Sequence, residues 1–334
     1  MTTASWTPAK EDLRRRAETL AALAGAAPSL HNAQPWLFRV GEDHIDVLLD
    51  RNRLLPVADP TTRQAHLGLG AAVFLLRLAL STMDKTVETL PWPDSGQPEL
   101  VARLVVVGGR HPATDEDRRL LAALPARRTV RTPFTEATVP VGLQVAWRDL
   151  AEAEGADLRW VAAPGERVGI SALVTAAERL QQRDPAYLAE LDRWTTAANL
   201  DEGVPPHAFG VSAAAGHAAE FPQRDFAGGT RTIPARPATP LEPHPVVTVL
   251  HTPTDRPDDW LRGGQALMRL LLTAAADGYV SSYLNQPLEL PGLRQQLRDE
   301  LRLAGWPQLI LRLGQPAGPL PPPAPRRPTG ELLI

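Results

Sequence analysis

The chain has 334 residues, 43% of them hydrophobic and 22% charged, which predicts about two compact units with sizeable cores. Its 35 basic and 38 acidic side chains give a net charge of -3, and this balance excludes a protein that holds nucleic acid or an anionic membrane through its overall charge. The absence of cysteine excludes disulfides, zinc thiolate sites, iron–sulfur clusters and thiol catalysis.

We expect a cytoplasmic protein without a membrane partner. The most apolar stretch, residues 67–80, is interrupted by Arg77 and is shorter than the roughly 20 residues that span a bilayer. The arginine run at positions 14–16 is followed by Glu18 and lies too deep in the chain for a signal peptide. A chain without cysteine also fits a reducing compartment.

The first part of the chain predicts the order helix, hairpin, helix and strand. Apolar residues at helical spacing indicate the helices, and two alternating runs around the polar turn Gly41-Glu42-Asp43 indicate the hairpin. The predicted elements are helix 8–24, loop 25–35, strands 36–40 and 45–49, helix 61–81 and strand 104–107.

A similar order returns in the second part, so we expect two similar α+β units in tandem. The predicted elements are helix 141–154, strand 158–162, helix 164–182, strand 246–250, helices 258–276 and 293–303, and strand 308–313. Residues 199–242 are rich in glycine, proline and alanine and lack periodicity, which is typical of a lid, a binding segment or a disordered loop. Residues 316–328 contain PLPPPAPRRP, a composition that predicts an extended arm.

Several familiar motifs are absent from the sequence. Gly68-Leu69-Gly70 lacks a third glycine and follows no strand, so it is not a dinucleotide-binding fingerprint. No Walker loop is present, and the eight histidines show no HExxH or other metal-ligand spacing. Phosphate-loop, metal and acyl-transfer sites are therefore disfavoured.

Two polar segments remain. Residues 27–38, APSLHNAQPWLF, place small and amide side chains in a loop that two prolines stiffen, with Trp36 as an apolar anchor. Residues 126–134, ARRTVRTPF, gather three arginines and a threonine within five positions. Taken singly, the first segment predicts a capped helix end with a core tryptophan, and the second predicts a solvated charged run.

Together the two segments resemble motifs of the FMN-dependent nitroreductase superfamily, whose members carry a PS..N.QPW loop and an RRS.R.F start. In ordinary members the arginine motif comes first and a homodimer builds each flavin site from both subunits. The inverted order and double length of this chain resemble the Acg-type branch, in which two nitroreductase-like halves are fused into an internal pseudo-dimer. The resemblance implies an α+β, three-layer fold and a monomer, with halves at 1–125 and 126–334, a lid-like insertion at 199–242 and a C-terminal extended arm at 316–334.

The resemblance also implies a set of FMN-binding residues. These are Pro28, Ser29, Asn32, Gln34, Arg127, Arg128, Thr129, Arg131, Ser282, Tyr283, Asn285, Gln286, Arg326 and Arg327. The loop residues would contact the ring and ribityl chain, the arginine segment would reach the phosphate, and Arg131 would lie at the pyrimidine edge. Residues 282–286 would lie beside flavin N5, and the C-terminal pair of arginines would clamp the phosphate, a dianion that guanidinium groups bind well.

The first half has no such arginine segment and the second has no such loop, so we expect one complete site per chain. The resemblance implies an oxidoreductase that uses NAD(P)H to reduce a small aromatic, quinone or enone acceptor, with the flavin and no catalytic side chain carrying the chemistry. The alternative is an FMN storage or sequestration protein whose lid closes over the flavin. A third hypothesis is a flavin-free protein that binds a partner.

Overall fold

Two four-stranded antiparallel sheets with the same strand order form the frame of the protein. The computed structural model describes residues 10–110, 112–195, 201–212, 219–226 and 238–334. The strands of the first sheet are β1 Trp36–Val40, β2 His44–Leu49, β3 Lys85–Pro91 and β4 Leu100–Arg110, in the order β1-β2-β4-β3. The strands of the second sheet are β5 Asp157–Val161, β6 Val246–Thr252, β7 Val280–Tyr283 and β8 Trp306–Gly314, in the order β5-β6-β8-β7.

Helices pack against both sheets. They are α1 Lys10–Arg15, α2 Ala17–Gly25, α3 Arg63–Thr82, α4 Asp115–Ala123, α5 Val141–Ala153, α6 Pro164–Gln181, α7 Pro185–Arg193, α8 Pro257–Ala276, α9 Pro291–Glu300 and α10 Thr329–Leu332. Each half thus follows the order helix, two strands, 20-residue helix and two strands. This arrangement confirms the predicted α+β fold with two similar units in tandem.

The halves differ in the connection within their first strand pair. In the first half, the turn at 41–43 joins β1 to β2, whereas in the second half residues 162–245 separate β5 from β6 and carry α6 and α7. Long insertions are best tolerated in such surface connections. The insertion therefore extends one hairpin turn and leaves the repeated frame unchanged.

Some predicted boundaries and elements need correction. The predicted helix 8–24 is divided into α1 and α2 at Arg16, and its first two residues lie outside the described part of the chain. The sequence analysis missed α4, α7, β3 and β7. No residue of β3, at the edge of its sheet, is fully buried, so the strand carries little hydrophobic alternation. The predicted extended arm ends in the single turn α10, whose Leu332 is buried in the core of the first half.

The central helices α3 and α8 cross with their backbones in contact. A Cβ atom added to Gly70 would lie 2.1 Å from the Leu261 carbonyl oxygen, and one added to Gly264 would lie 2.0 Å from the Leu67 carbonyl oxygen. Leu261 and Met268 of α8 therefore reach the core that α3 forms with the first sheet. The crossing joins the two halves through shared apolar side chains.

By length and composition, α3 is the one helix in the described chain that could span a membrane, and 83% of its apolar window is buried inside the protein. Its burial between the first sheet and α8 accounts for its hydrophobicity, as expected for a core helix.

We predict that Gly264→Ala lowers the free energy of unfolding by at least about 2 kcal/mol, because the added methyl group overpacks the helix crossing. The matched control is Gly292→Ala in α9, where an added Cβ meets nothing within 4 Å and where alanine favours the helix by up to about 1 kcal/mol. Urea unfolding of both variants measures the difference. Equal stabilities would contradict the proposed close contact.

Candidate functional site

A cavity of about 460 Å³ lies between the two halves, within the range of about 300–1,000 Å³ that is usual for small-molecule sites. The first half contributes the loop after α2 and the first turns of α3. The second half contributes the segment 127–131, β7 with the turn after it, and parts of the insertion and of the C-terminal arm. Twelve predicted residues line the cavity: Pro28, Ser29, Asn32, Arg127, Arg128, Thr129, Arg131, Ser282, Tyr283, Asn285, Gln286 and Arg326.

The loop after α2 is tightly wound. His31, Asn32 and Gln34 have positive φ angles of 48°, 56° and 54°, a region that residues other than glycine adopt infrequently. The Ser29 hydroxyl accepts a hydrogen bond from the backbone N–H of Gln34 at 2.9 Å. The Asn32 amide donates to the carbonyl oxygens of Gly203 and Pro325, both at 3.0 Å, so this loop binds the insertion and the arm together.

Gln34 and Arg327, the other two predicted residues, are not among the residues that line the cavity. Gln34 is fully buried, donates to the Asp201 carbonyl oxygen at 2.9 Å and accepts from the Arg327 backbone N–H at 2.9 Å. The Arg327 guanidinium lies 3.4 Å from the Asp50 carboxylate and donates to the Glu331 carbonyl oxygen at 3.0 Å. These two side chains lie behind the wall and fix the arm to the first half.

The segment 127–131 runs beside β7. The Val130 N–H donates to the Ser281 carbonyl oxygen at 2.8 Å, and Thr129 forms a parallel bridge with Ser281. This pairing joins two stretches of chain that lie about 150 residues apart in the sequence. The arginine motif and the residues after β7 therefore face the same cavity.

Three guanidinium groups crowd one part of the wall. Burial lowers the pKa values of Arg127 and Arg128, and burial together with the positive charges of those two residues lowers the pKa of Arg326 to about 9. In the part of the chain that the structure describes, none of the three lies within salt-bridge distance of a carboxylate. Clustered guanidinium groups without carboxylate partners are groups of the kind that bind anions well.

A second basic group lies around Phe226. The Arg131 guanidinium lies 4.6 Å from the Phe226 ring centre and donates to the Ala208 carbonyl oxygen at 2.8 Å. Burial, with a contribution from Arg224, lowers the pKa of Arg131 to about 10. Burial raises the pKa of the Tyr283 phenol, against the effect of the arginines beside it.

The sequence analysis missed a buried pair on this side of the cavity. The Arg224 guanidinium lies 2.5 Å from the Glu289 carboxylate, hydrogen-bonds to the Tyr187 hydroxyl, and is 3.4 Å from His31 Nε2. Burial, and next the charge of Arg224, keeps the pKa of His31 well below its usual value, so the ring is neutral at pH 7. No periodicity or motif singled out Arg224 or Glu289, whereas His31 lies inside the recognised loop.

Phe209, Phe221 and Phe226 of the insertion are all buried, but they differ in their position relative to the cavity. Phe209 and Phe221 are buried in hydrophobic cores, and Phe226 alone among them lines the cavity. Residues 199–200, 213–218 and 227–237 of the predicted lid lie outside the described residues. The described parts of the insertion therefore belong to the packed body of the protein.

Many buried polar atoms of the lining have no hydrogen-bond partner among the described residues. They are Nε of Arg127, Arg128 and Arg326, the Tyr283 hydroxyl, Nε2 of Gln64, Nδ1 of His31 and both amide atoms of Gln223. Buried polar groups are normally satisfied, so this concentration in one cavity indicates a ligand with several donors and acceptors.

No protein-family model matches the chain, but curated relatives from Mycobacterium tuberculosis match nearly all of it. The protein provisionally named NAD(P)H nitroreductase acg is 34% identical over 317 residues, which cover 93% of each chain. The provisionally named NAD(P)H nitroreductase Rv3131 is 32% identical over 320 residues, covering 94% of this chain and 90% of the relative. The uncharacterized protein Rv3127 is 31% identical over 320 residues, covering 93% and 90%.

Among solved structures, an FMN-bound nitroreductase from Bacteroides fragilis is 15% identical, with a TM-score of 0.36, and the match covers 60% of this chain and 90% of that chain.

We predict that the two neighbouring C-terminal arginines act differently on the ligand-free protein. Arg327→Met leaves the Asp50 carboxylate buried and unpaired, so the free energy of unfolding should fall by about 3 kcal/mol. Arg326→Met should change the free energy of unfolding by less than about 1 kcal/mol, because the loss of the Arg326 hydrogen bonds is offset by the loss of repulsion from the neighbouring cations.

The pH dependence provides a second measurement. Since the folded-state pKa of Arg326 is about 9, below its unfolded value, the destabilisation by its charge is fully present below that pH and declines above it. The free energy of unfolding of the wild type should therefore rise relative to that of Arg326→Met as the pH increases above about 9. A pH-independent difference would show that Arg326 experiences no such repulsion.

Proposed function

Because the chain belongs to the Acg-type branch of the FMN-dependent nitroreductase superfamily, we propose that it binds one FMN in the 460 Å³ cavity and is an NAD(P)H-dependent oxidoreductase. Its acceptor would be a small aromatic, quinone or enone. The observation that carries the proposal is the cluster of buried guanidinium groups without carboxylate partners, in a cavity whose lining also holds unpartnered donors and acceptors.

The arginine cluster fits the phosphate end of FMN. Arg127, Arg128 and Arg326 come from two distant stretches of the chain, and burial together with the charges of the first two lowers the pKa of Arg326. A phosphate dianion offers oxygen acceptors in the geometry that guanidinium groups bind most strongly. Its charge would offset the repulsion that the folded protein otherwise bears.

The remaining lining fits a flat apolar ring with one polar edge. Leu67 and Leu267, from the two crossed helices, and Leu309 of β8 supply apolar surface. Arg131 and Tyr283 supply a cation and a hydroxyl on another part of the wall. The bound flavin would supply the hydride-transfer chemistry, and a cation near its pyrimidine edge favours the reduced form.

The place in the fold that corresponds to the cavity by pseudo-symmetry is filled with aromatic rings. Trp92 follows β3 and Trp260 lies in the first turn of α8, and both rings contact His66, at centroid distances of 6.0 and 5.7 Å. The His66 and Trp92 rings are stacked and the His66 and Trp260 rings are tilted, and this aromatic packing disfavours a second flavin there. This observation supports one FMN per chain.

The direct test is to purify the protein, look for flavin absorbance, and add NADPH without oxygen. We expect about one FMN per chain, and bleaching of its absorbance by NADPH. Arg127→Ala and Arg131→Ala should each weaken FMN binding by about 1.5–3 kcal/mol, the range of a charged hydrogen bond. Arg118→Ala, which removes an exposed arginine of α4, is the control and should bind as the wild type does.

Two tightly bound flavins per chain, or none in a folded sample, would contradict this proposal. Equal FMN affinity in the arginine variants would contradict the assignment of the cluster.

One observation favours FMN storage as a second candidate function. Pro321, Pro322 and Pro323 of the arm line the cavity, together with Val204 and Pro205 of the insertion. Proline holds an extended chain stiffly. A stiff cover of this kind would restrict the entry of a nicotinamide ring and of an acceptor.

We predict that Pro321→Gly combined with Pro322→Gly and Pro323→Gly loosens the cover, because glycine restores backbone freedom. Reduction of bound flavin by NAD(P)H should accelerate several-fold, whereas reduction by the smaller dithionite ion should change less. Pro319→Gly, at an exposed position outside the lining, is the matched control. Unchanged NAD(P)H rates with FMN still bound would remove the physical basis of the storage function.

We also propose that the protein is a monomer, because α3 and α8 already bury against each other the surfaces that join the two halves. Light scattering should give a mass near 36.2 kDa. A concentration-independent mass twice as large would contradict it.

A further inference from the structure

Gln223 has the most unusual side chain of the cavity wall. It lies in the described segment 219–226 of the insertion, lines the cavity and is 7% exposed. Within the described part of the chain, neither its amide oxygen nor its amide nitrogen has a hydrogen-bond partner, although both atoms are buried. A primary amide carries two donors and one acceptor, so this residue leaves a complete set of hydrogen-bonding groups unused.

The neighbours of Gln223 are anchored on both sides. Phe221 is buried in the core of the second half, and Arg224 pairs with Glu289. The Asp225 N–H donates to the Glu178 carboxylate at 2.9 Å. The backbone around Gln223 is therefore held in place by contacts that do not involve its own side chain.

Gly210 connects Gln223 to Arg131. A Cβ atom added to Gly210 would lie 2.6 Å from Arg131 Cβ and 2.9 Å from Gln223 Oε1. The φ angle of Gly210 is +88°, which glycine adopts without strain. Gly210 thus lets the insertion approach Arg131 closely and brings the unused amide to the same part of the wall as that guanidinium.

We propose that Gln223 is a specificity-determining residue that recognises the imide edge of a flavin ring. This edge presents carbonyl, N–H and carbonyl in a row, and a primary amide complements it, since Oε1 accepts from the N–H while Nε2 donates to one carbonyl oxygen. Arg131 provides donors and no acceptor, so it matches a carbonyl of this edge and not the N–H. The inference rests on the proposed FMN-binding function.

Other unpartnered groups of the lining match this edge less well. Gln64 has one buried atom without a partner, Nε2, and the three clustered arginines provide donors alone. Within the described lining, the Gln223 amide is the one whose oxygen and nitrogen are both buried without a hydrogen-bond partner. An amide also suits the carboxamide of a nicotinamide, and the test below distinguishes that ligand.

The experiment compares FMN with N3-methyl-FMN, which lacks the imide N–H, by fluorescence titration of the full chain. The wild type should bind N3-methyl-FMN at least about tenfold more weakly than FMN. Gln223→Met, which keeps the volume and removes the amide, should bind FMN about tenfold more weakly than the wild type and lose most of the discrimination. The ligand-free variant should melt at or above the wild-type temperature, because a buried amide without partners is destabilising.

Gln182→Met is the matched control. The Gln182 amide donates to the Asp225 carbonyl oxygen at 3.2 Å and steadies the same segment without lining the cavity, so this variant should keep the wild-type discrimination. If Gln223→Met does not fold, Gln223→Asn replaces it, because the shorter amide keeps the polarity and loses the reach.

Three results would overturn the inference. The first is that the wild type binds the two flavins equally. The second is that the Gln223 variant keeps the wild-type discrimination. The third is that the variant binds both flavins normally and raises the KM for NAD(P)H alone, which would assign the amide to the nicotinamide. A wild type that binds neither flavin would instead show that the proposed FMN function is wrong, and the inference would fail with it.

Discussion

The close crossing of α3 and α8 is the contact on which the rest of the structure depends. Because Gly70 and Gly264 have no side chains, the helix backbones touch, and apolar residues of α8 join the core of the first half. The same crossing places Leu67 and Leu267 side by side in the cavity lining. The same packed residues therefore form the interface between the halves and the apolar surface of the cavity. A change in the distance between the two helices would alter both.

Two long segments of the second half, the insertion and the C-terminal arm, pack against the first half and complete the cavity. The insertion packs Phe209 beside Leu55 and Ala58, and the arm ends with Leu332 in the first core. The Gln34 side chain hydrogen-bonds to both segments. Each segment is also anchored away from the cavity, and several buried polar atoms of the described lining have no hydrogen-bond partner there.

Charge in the cavity opposes the stability that this packing provides. Burial, and next the charges of neighbouring arginines, lower the pKa values of Arg131 and Arg326 to about 10 and about 9, so both charged guanidinium groups are less favourable in the folded chain than in water. Local conflicts of this kind are typical of functional sites, where the surrounding structure holds groups that a ligand later satisfies. In this protein, the structure that holds these groups in place is the core that the two halves share.

The sequence by itself determined the repeated frame and most of the site, because both depend on local patterns: helical and alternating periodicity, and two short motifs whose residues line the cavity. Only the tertiary structure decided which of the predicted residues line the cavity. Gln34 has a φ of 54° and turns into the wall, and Arg327 turns to the Asp50 carboxylate. Gln223 and Arg224 lie outside any motif or period, and they reach the cavity through packing between distant residues, which no local pattern in the chain encodes.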